Sequence, residues 1–239
     1  MGYTLAIDTS SYVLTVAVTE DSKVLGEMTT NVKKNHSLRL MPAIEQLMRD
    51  TGITPEQLTK VVVADGPGSY TGVRIAVTTA KTLAWSLNIP LVGVSSLELM
   101  VQNGRFFEGY TVPIVDARRG QVFTALYRGE QHKMTVQKED RLRMLNEWLE
   151  ELKEIEGLIL FVGQDVELHQ EDIQSALGDK AVFAPAQMTL PRGGELAALG
   201  EEKEAVASIH TFVPRYLRLA EAEAKWQSEQ QKKACESND

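Results

Sequence analysis

Residues 61–85 read VVVADGPGSYTGVRIAVTTAKTLAW, and the fold turns on how this stretch is parsed. Val61 to Ala64 is a continuous apolar run of strand length, Asp65 to Gly72 is dense in turn residues, and from Val73 the apolar residues recur at helical spacing. A strand, a glycine turn and a helix start in succession are a setting for an anion, because free backbone N–H groups and the helix dipole converge there. The specific nucleotide templates fail, however. Thr71 stands where the third glycine of GxGxxG belongs, and Val73-Arg74 follow Gly72 where a Walker loop needs Lys and then Ser or Thr. The other reading is a Pro-Gly turn in which Gly68 supplies a positive φ and Ser69 or Thr71 caps the helix. Val73, Ala76, Val77, Ala80, Leu83, Ala84 and Leu87 then form its core stripe. A second row, Arg74, Thr78, Lys81 and Trp85, falls on another face. It reads either as a docking surface, where Arg and Trp are favoured, or as a surface Trp partly covered by its own chain.

Working outward, the same pattern occurs twice. Upstream lie strands at Tyr3 to Asp8, Tyr12 to Thr19 and Val24 to Thr30. A helix follows, with Leu40, Met41, Ile44, Leu47 and Met48 on one face and Gly52 placed as its cap. Pro42 either starts that helix or kinks its first turn. Thr54-Pro55-Glu56-Gln57 has the form of a capping box. After the long helix come a strand at Pro90 to Val94 and a helix from Ser95. The second set opens with a strand at Thr111 to Asp116, the turn Ala117-Arg118-Arg119-Gly120, and strands at Gln121 to Tyr127 and His132 to Gln137. A helix at Leu142 to Leu152, a strand at Leu158 to Val162, a helix from Asp165 and a strand at Ala181 to Ala184 follow. Asp8 and Asp116 end the first strand of each set. The expected organisation is a duplicated mixed α/β unit, residues 1–105 and 106–219 joined near Gln102 to Gly109, with a polar tail at 220–239. One continuous α/β domain is the alternative.

Composition bounds the function. The 239 residues carry a formal net charge of −8, with 43% hydrophobic and 24% charged residues. That is ordinary for a globular chain, and no apolar run reaches the length of a membrane span. So acidic a chain is a poor nucleic-acid binder by itself, since phosphate contacts need local positive charge. Small basic groups at Arg118-Arg119, Arg215 and Arg218 read equally as solvated surface. No signal peptide is expected at Met1-Gly2-Tyr3, and Ala6 breaks a myristoylation motif. Cys235 is the single cysteine, which fits a cytoplasmic protein.

The segments LAIDTSSYVLTVAV (5–18), HSLRLMP (36–42), ADGPGSYTGVRIAVTTAKTLAW (64–85), PLVGVSSLE (90–98), PIVDARRGQVFTALY (113–127) and VPRYLR (213–218) together resemble the TsaB family of tRNA threonylcarbamoyladenosine biosynthesis. The resemblance implies an actin, sugar-kinase and Hsp70-like fold: two duplicated ribonuclease-H-like domains, each a mixed five-stranded sheet with flanking helices. It also implies a cytoplasmic, non-catalytic subunit that pairs with the paralog TsaD and helps recruit the ATPase TsaE. That assembly would transfer threonylcarbamoyl from its adenylate to N6 of adenosine in tRNAs decoding ANN codons.

What the resemblance implies for individual residues is specific. The catalytic relative carries an HxxxH metal pair where this chain has Ser96 and Met100, and a hydroxyl and a thioether do not replace two imidazoles. His36, His132, His169 and His210 are scattered singly. ATP and a divalent metal are therefore expected on partner subunits, and tRNA is expected to be met through the complex. The docking surface is expected to use Leu38, Met41, Ile44 and Met48 with the row Arg74, Thr78, Lys81 and Trp85. Without its partner the chain is expected to be able to form a two-fold homodimer through the same surface. Arg192-Gly193-Gly194-Glu195 reads as a helix start in preference to an adenosine loop. The competing function is a nucleotide-dependent phosphotransferase or ATPase, with Asp8, Gly66, Gly68 and Asp116 near the phosphates. A peptidase has no support, because no metal pair, folded cysteine or Ser-His-Asp set stands out.

Overall fold

A computed structural model describes residues 2–218; the expected polar tail, and Cys235 within it, lie outside the described residues. The first sheet is built from β1 (Tyr3–Asp8), β2 (Val13–Glu20), β3 (Lys23–Asn31), β4 (Leu58–Gly66) and β5 (Leu91–Ser95). Their order is β3-β2-β1-β4-β5, antiparallel through β3-β2-β1 and parallel through β1-β4-β5. Between these strands run α1 (His36–Thr51) and α2 (Tyr70–Leu87), and α3 (Ser96–Val101) follows β5. The second sheet comprises β6 (Tyr110–Asp116), β7 (Gln121–Glu130), β8 (Lys133–Met144), β9 (Ile159–Val162) and β10 (Ala181–Phe183). Its order, β10-β9-β6-β7-β8, repeats the first sheet element for element, with α4 (Leu145–Lys153) and α5 (Val166–Leu177) as its helices. The duplication and the two mixed five-stranded sheets expected from the sequence are both present.

Strand alternation divides each sheet into two faces. On the first, Leu5, Ile7, Leu14, Val16, Val61 and Val63 face α1 and α2 in one core. Ala6, Ala17, Val62, Ala64, Val92 and Val94 face the other way. That second face is covered by α6 (Gly193–Glu201), which returns from the second half of the chain. Small residues let α6 come close: a Cβ on Gly193 would lie 2.8 Å from the Ala17 Cβ. The first amides of α6 are taken by the sheet itself, Gly193 N–H donating to Thr15 Oγ1 at 3.0 Å and Gly194 N–H to Glu27 Oε2 at 2.9 Å. Arg192 to Glu195 is thus a helix start. Between the sheets sits α3, whose Leu97, Met100 and Val101 pack with Val115, Phe123, Tyr127 and Val162 of the second sheet. Trp148 and Leu152 of α4 complete the outer core with Phe161 and Ile173.

Three local expectations are corrected. Pro42 neither starts its helix nor lies in its first turn, because α1 opens at His36, where the Asn35 side chain accepts the Ser37 N–H at 3.0 Å. Leu142 belongs to β8, since pairing of Arg143 with Val122 and Met144 with Gln121 carries the strand to Met144 before α4 begins. The positive φ in the glycine loop falls on Gly66 (φ 109°), whereas Gly68 answers a need for close approach. Gly52 does cap α1, with φ 73° and its N–H turned to the Arg49 and Met48 carbonyls. Among the described residues no helix is long and apolar enough to cross a membrane.

Candidate partner-docking face

The glycine loop closes on the protein. Ser69 N–H donates to the Ser10 carbonyl at 2.7 Å, and Thr9 Oγ1 donates to the Gly72 carbonyl at 2.8 Å. Ser69 then caps α2, its Oγ accepting the Gly72 N–H at 3.3 Å and its carbonyl the Val73 N–H at 2.8 Å. A Cβ on Gly68 would collide with the Ser10 carbonyl, and one on Gly72 with the Thr9 carbonyl. The Thr9-Ser10-Ser11 turn therefore packs directly against Gly68 and Gly72. Asp8 is buried behind the turn, with Oδ1 accepting the Ser10 N–H at 2.7 Å. Its Oδ2 has no hydrogen-bond partner among the described residues, and burial pushes its carboxyl above the ordinary aspartate range. Asp116 lies in the second half of the chain, its N–H donating to Asp165 Oδ2 at 2.9 Å and its Oδ1 lying 3.3 Å from His169 Nε2. Ser96 is buried, and Met100 packs among Leu97, Val115 and Val162. Among the described residues no three His, Cys, Asp or Glu side chains are grouped to hold a metal ion.

What the loop does aim is α2. Its buried face carries Val73, Ala76, Val77, Ala80 and Ala84, with Leu83 and Leu87 partly buried beside them. Burying each such Val contributes about 1.5–3 kcal/mol, which fixes the rotation of the helix about its axis. The opposite side is left for other uses. α1 lies alongside, and an open groove of ≈ 500 Å³ runs between the two, lined by Ser37, Leu40, Met41, Tyr70, Thr71, Arg74, Ile75, Thr78 and Thr79. Leu38 stands beside it, 74% exposed.

Of the residues expected on this surface, Met41, Arg74 and Thr78 line the groove and Leu38 flanks it. Ile44 and Met48 do not take part. At 2% and 8% exposed they lie in the first core, because the 100° step of α1 turns Leu40, Ile44, Leu47 and Met48 inward together. Lys81 is engaged within the chain, its Nζ donating to the Phe212 carbonyl at 2.6 Å and the His210 carbonyl at 3.0 Å. Trp85, 63% exposed, meets the His210 ring edge-on with centroids 6.1 Å apart. Tyr70 and Tyr216 are the residues that sequence reading missed. The Arg74 guanidinium lies 4.1 Å from the Tyr70 ring centroid and its Nε donates to Tyr216 Oη at 2.6 Å. Tyr70 had a signal, since it extends the Arg74–Thr78 row back by one turn. Tyr216 had none, because only folding brings it to α2.

Comparison with known proteins identifies the family. A family model described as "TsaD: tRNA N6-adenosine threonylcarbamoyltransferase" matches residues 23–226. The tRNA threonylcarbamoyladenosine biosynthesis protein TsaB of Bacillus subtilis is 54% identical over 222 residues, covering 93% of this chain and 96% of that protein. The protein of the same name from Escherichia coli is 32% identical over 130 residues, covering 54% of this chain and 56% of its own length. Among solved structures, YeaZ from Pseudomonas aeruginosa superposes with a TM-score of 0.75 at 22% identity, covering 91% of this chain and 100% of that one, a likeness of fold. With the family model matching well over half of the chain and the Bacillus subtilis relative matching nearly end to end, the chain belongs to the TsaD family and, within it, stands with the TsaB proteins.

Proposed function

We propose that this chain is a non-catalytic scaffold subunit of the cytoplasmic apparatus that makes N6-threonylcarbamoyladenosine in tRNA. It pairs with a TsaD-like catalytic paralog through the α1–α2 face and, through that pair, helps to recruit a TsaE-like ATPase. ATP and a divalent metal belong to the partners, and tRNA is met through the assembly. One observation carries the reading: the glycine loop is packed against the Thr9–Ser11 turn, while the helix it launches shares an open groove with α1. Leu38 and Met41 supply exposed apolar surface and Arg74 a cation ringed by aromatics, a composition suited to a partner. In isolation the same face would pair with a second copy about a two-fold axis.

The test is co-purification of the TsaD-like paralog with the wild type and with Leu38→Glu, together with a magnesium-ATP titration of the isolated chain. Capture by the wild type, loss with Leu38→Glu and no nucleotide binding support the scaffold. The buried, unpartnered Asp8 Oδ2 favours a second reading, a nucleotide-dependent phosphotransferase or ATPase. Magnesium-ATP binding by the isolated chain, abolished by Asp8→Asn, would establish that reading instead.

A further inference from the structure

Beyond α6 the chain runs back across the molecule as a strap. Val206 N–H donates to the Leu91 carbonyl at 2.8 Å, and Val206, Ile209 and Phe212 pack against the first core. Arg215 N–H then donates to the Asp65 carbonyl at 2.7 Å. From there the Arg215 guanidinium reaches two carboxylates, one on each sheet. Its Nε lies 3.5 Å from Asp65 Oδ1, near the end of β4, and its Nη1 lies 3.4 Å from Asp140 Oδ2 on β8. Asp140 is also the acceptor for Ser95 Oγ, which caps α3, and for Tyr127 Oη at 3.4 Å. A register shift places Asp140 there. Thr124 pairs with Arg141 and Leu126 with Lys138, so β8 carries one extra residue over this span. Such a bulge re-aims a side chain.

The next residue contacts a different element. Tyr216 Oη accepts from Arg74 Nε at 2.6 Å, and its ring lies 5.2 Å from that of Tyr70. The two side chains reach different elements, Arg215 the carboxylates of the two sheets and Tyr216 the helix α2. Two consecutive residues thus join the seam between the sheets to the first two turns of α2. The strap touches the glycine loop as well, for a Cβ on Gly66 would lie 2.8 Å from the Arg215 carbonyl oxygen.

We propose that Arg215 is a positioning residue for the docking face: by clamping Asp65 and Asp140 it holds Tyr216 against Arg74 and Tyr70, so the shape of the α1–α2 groove depends on how the two sheets are closed. This rests on the proposed use of that face for a partner. Two ion pairs to carboxylates on different sheets and the backbone bond to the Asp65 carbonyl together set the position of Arg215, and a one-residue connection passes that position to the groove with little slack.

The test uses the full chain and reads two quantities: amide hydrogen exchange, and affinity for the TsaD-like paralog. Asp140→Asn changes the second sheet, and its recorded partners are Ser95, Tyr127 and Arg215, none of them on α1 or α2. Exchange is expected to quicken by about threefold or more in residues 206–218 and 70–74. Partner affinity is expected to fall by about tenfold. In a Tyr216→Ala background, Asp140→Asn should cost no further affinity, because the Arg74 hydrogen bond and the Tyr70 ring contact are both already cut. Arg215→Lys keeps the charge without the fork and carries the same test should Asp140→Asn fail to fold. Unchanged exchange in residues 70–74, or independent losses from Asp140→Asn and Tyr216→Ala, would overturn the inference. Exchange in α2 that follows Asp140 while the wild type binds no paralog would uphold the tether and refute the assigned partner.

Discussion

The backbone N–H of Ser69 donates to the carbonyl oxygen of Ser10 at 2.7 Å, joining the glycine loop to the first hairpin turn. Through this bond and the Thr9 Oγ1 bond to the Gly72 carbonyl the turn and the loop are packed together. Gly68 and Gly72 are glycines because the Ser10 and Thr9 carbonyls lie against them.

Gly68→Ala is therefore expected to destabilise the fold by about 2–4 kcal/mol, as strain in a packed junction that backbone atoms cannot vacate. Gly52→Ala meets open space and only the left-handed backbone, so its cost should be about 1 kcal/mol. Urea denaturation of both variants checks the order. Equal costs would mean that the Ser10–Gly68 contact is not held in solution.

On α1, Leu38 and Ile44 separate surface from core. Leu38→Glu should leave stability within about 0.5 kcal/mol while lowering partner affinity by about tenfold or more. Ile44→Ala should cost about 2–4 kcal/mol with little direct effect on affinity in the folded fraction. Thermal unfolding paired with calorimetric titration of the paralog separates the two effects.

Asp65 makes stability depend on pH. Burial, with Asp140 nearby, outweighs the Arg215 guanidinium and pushes its carboxyl up to about 6. The folded state thus holds a proton that the unfolded chain releases nearer pH 4. This group's contribution is greatest below about pH 4 and is lost as the pH rises through about 6, a change of up to about 3 kcal/mol. Asp65→Asn should flatten that part of the stability profile, as measured by chemical denaturation across the range. An unchanged slope would show that Asp65 ionises freely in the fold.

Thr15 anchors α6 to the first sheet through Gly193. Thr15→Val keeps the volume but leaves a buried N–H without its acceptor, which should cost about 1–3 kcal/mol. Amide exchange should quicken selectively at the start of α6, and a uniform change along the sheet would instead mark general loosening.

Much of this was legible in the chain. The two aspartates that close β1 and β6 and the glycine cap at Gly52 are local signals that mark real boundaries, and the helical spacing that starts at Val73 lies within α2 (Tyr70–Leu87). Leu142 misled because its helical spacing competed with a cross-strand partner, Phe123, that lies outside any local window. Ile44 and Met48 cannot be told from Leu38 and Met41 by sequence, because the outer and inner faces of α1 are both apolar there. Only contact with the sheet distinguishes them.

Sequence alone determined the repeated strand–helix order and the core stripe of α2, since apolar periodicity follows backbone geometry directly. It also showed that no nucleotide template is complete. Tertiary structure decided what the glycines are for, by pressing the Thr9–Ser11 turn against them. It also brought α6 and residues 206–212 of the strap back onto the first sheet, and placed Arg215 between two carboxylates and Tyr216 beside Arg74. These last contacts join residues far apart in the chain. Their free energy comes from burial and ion pairing that exist only once both sheets have formed.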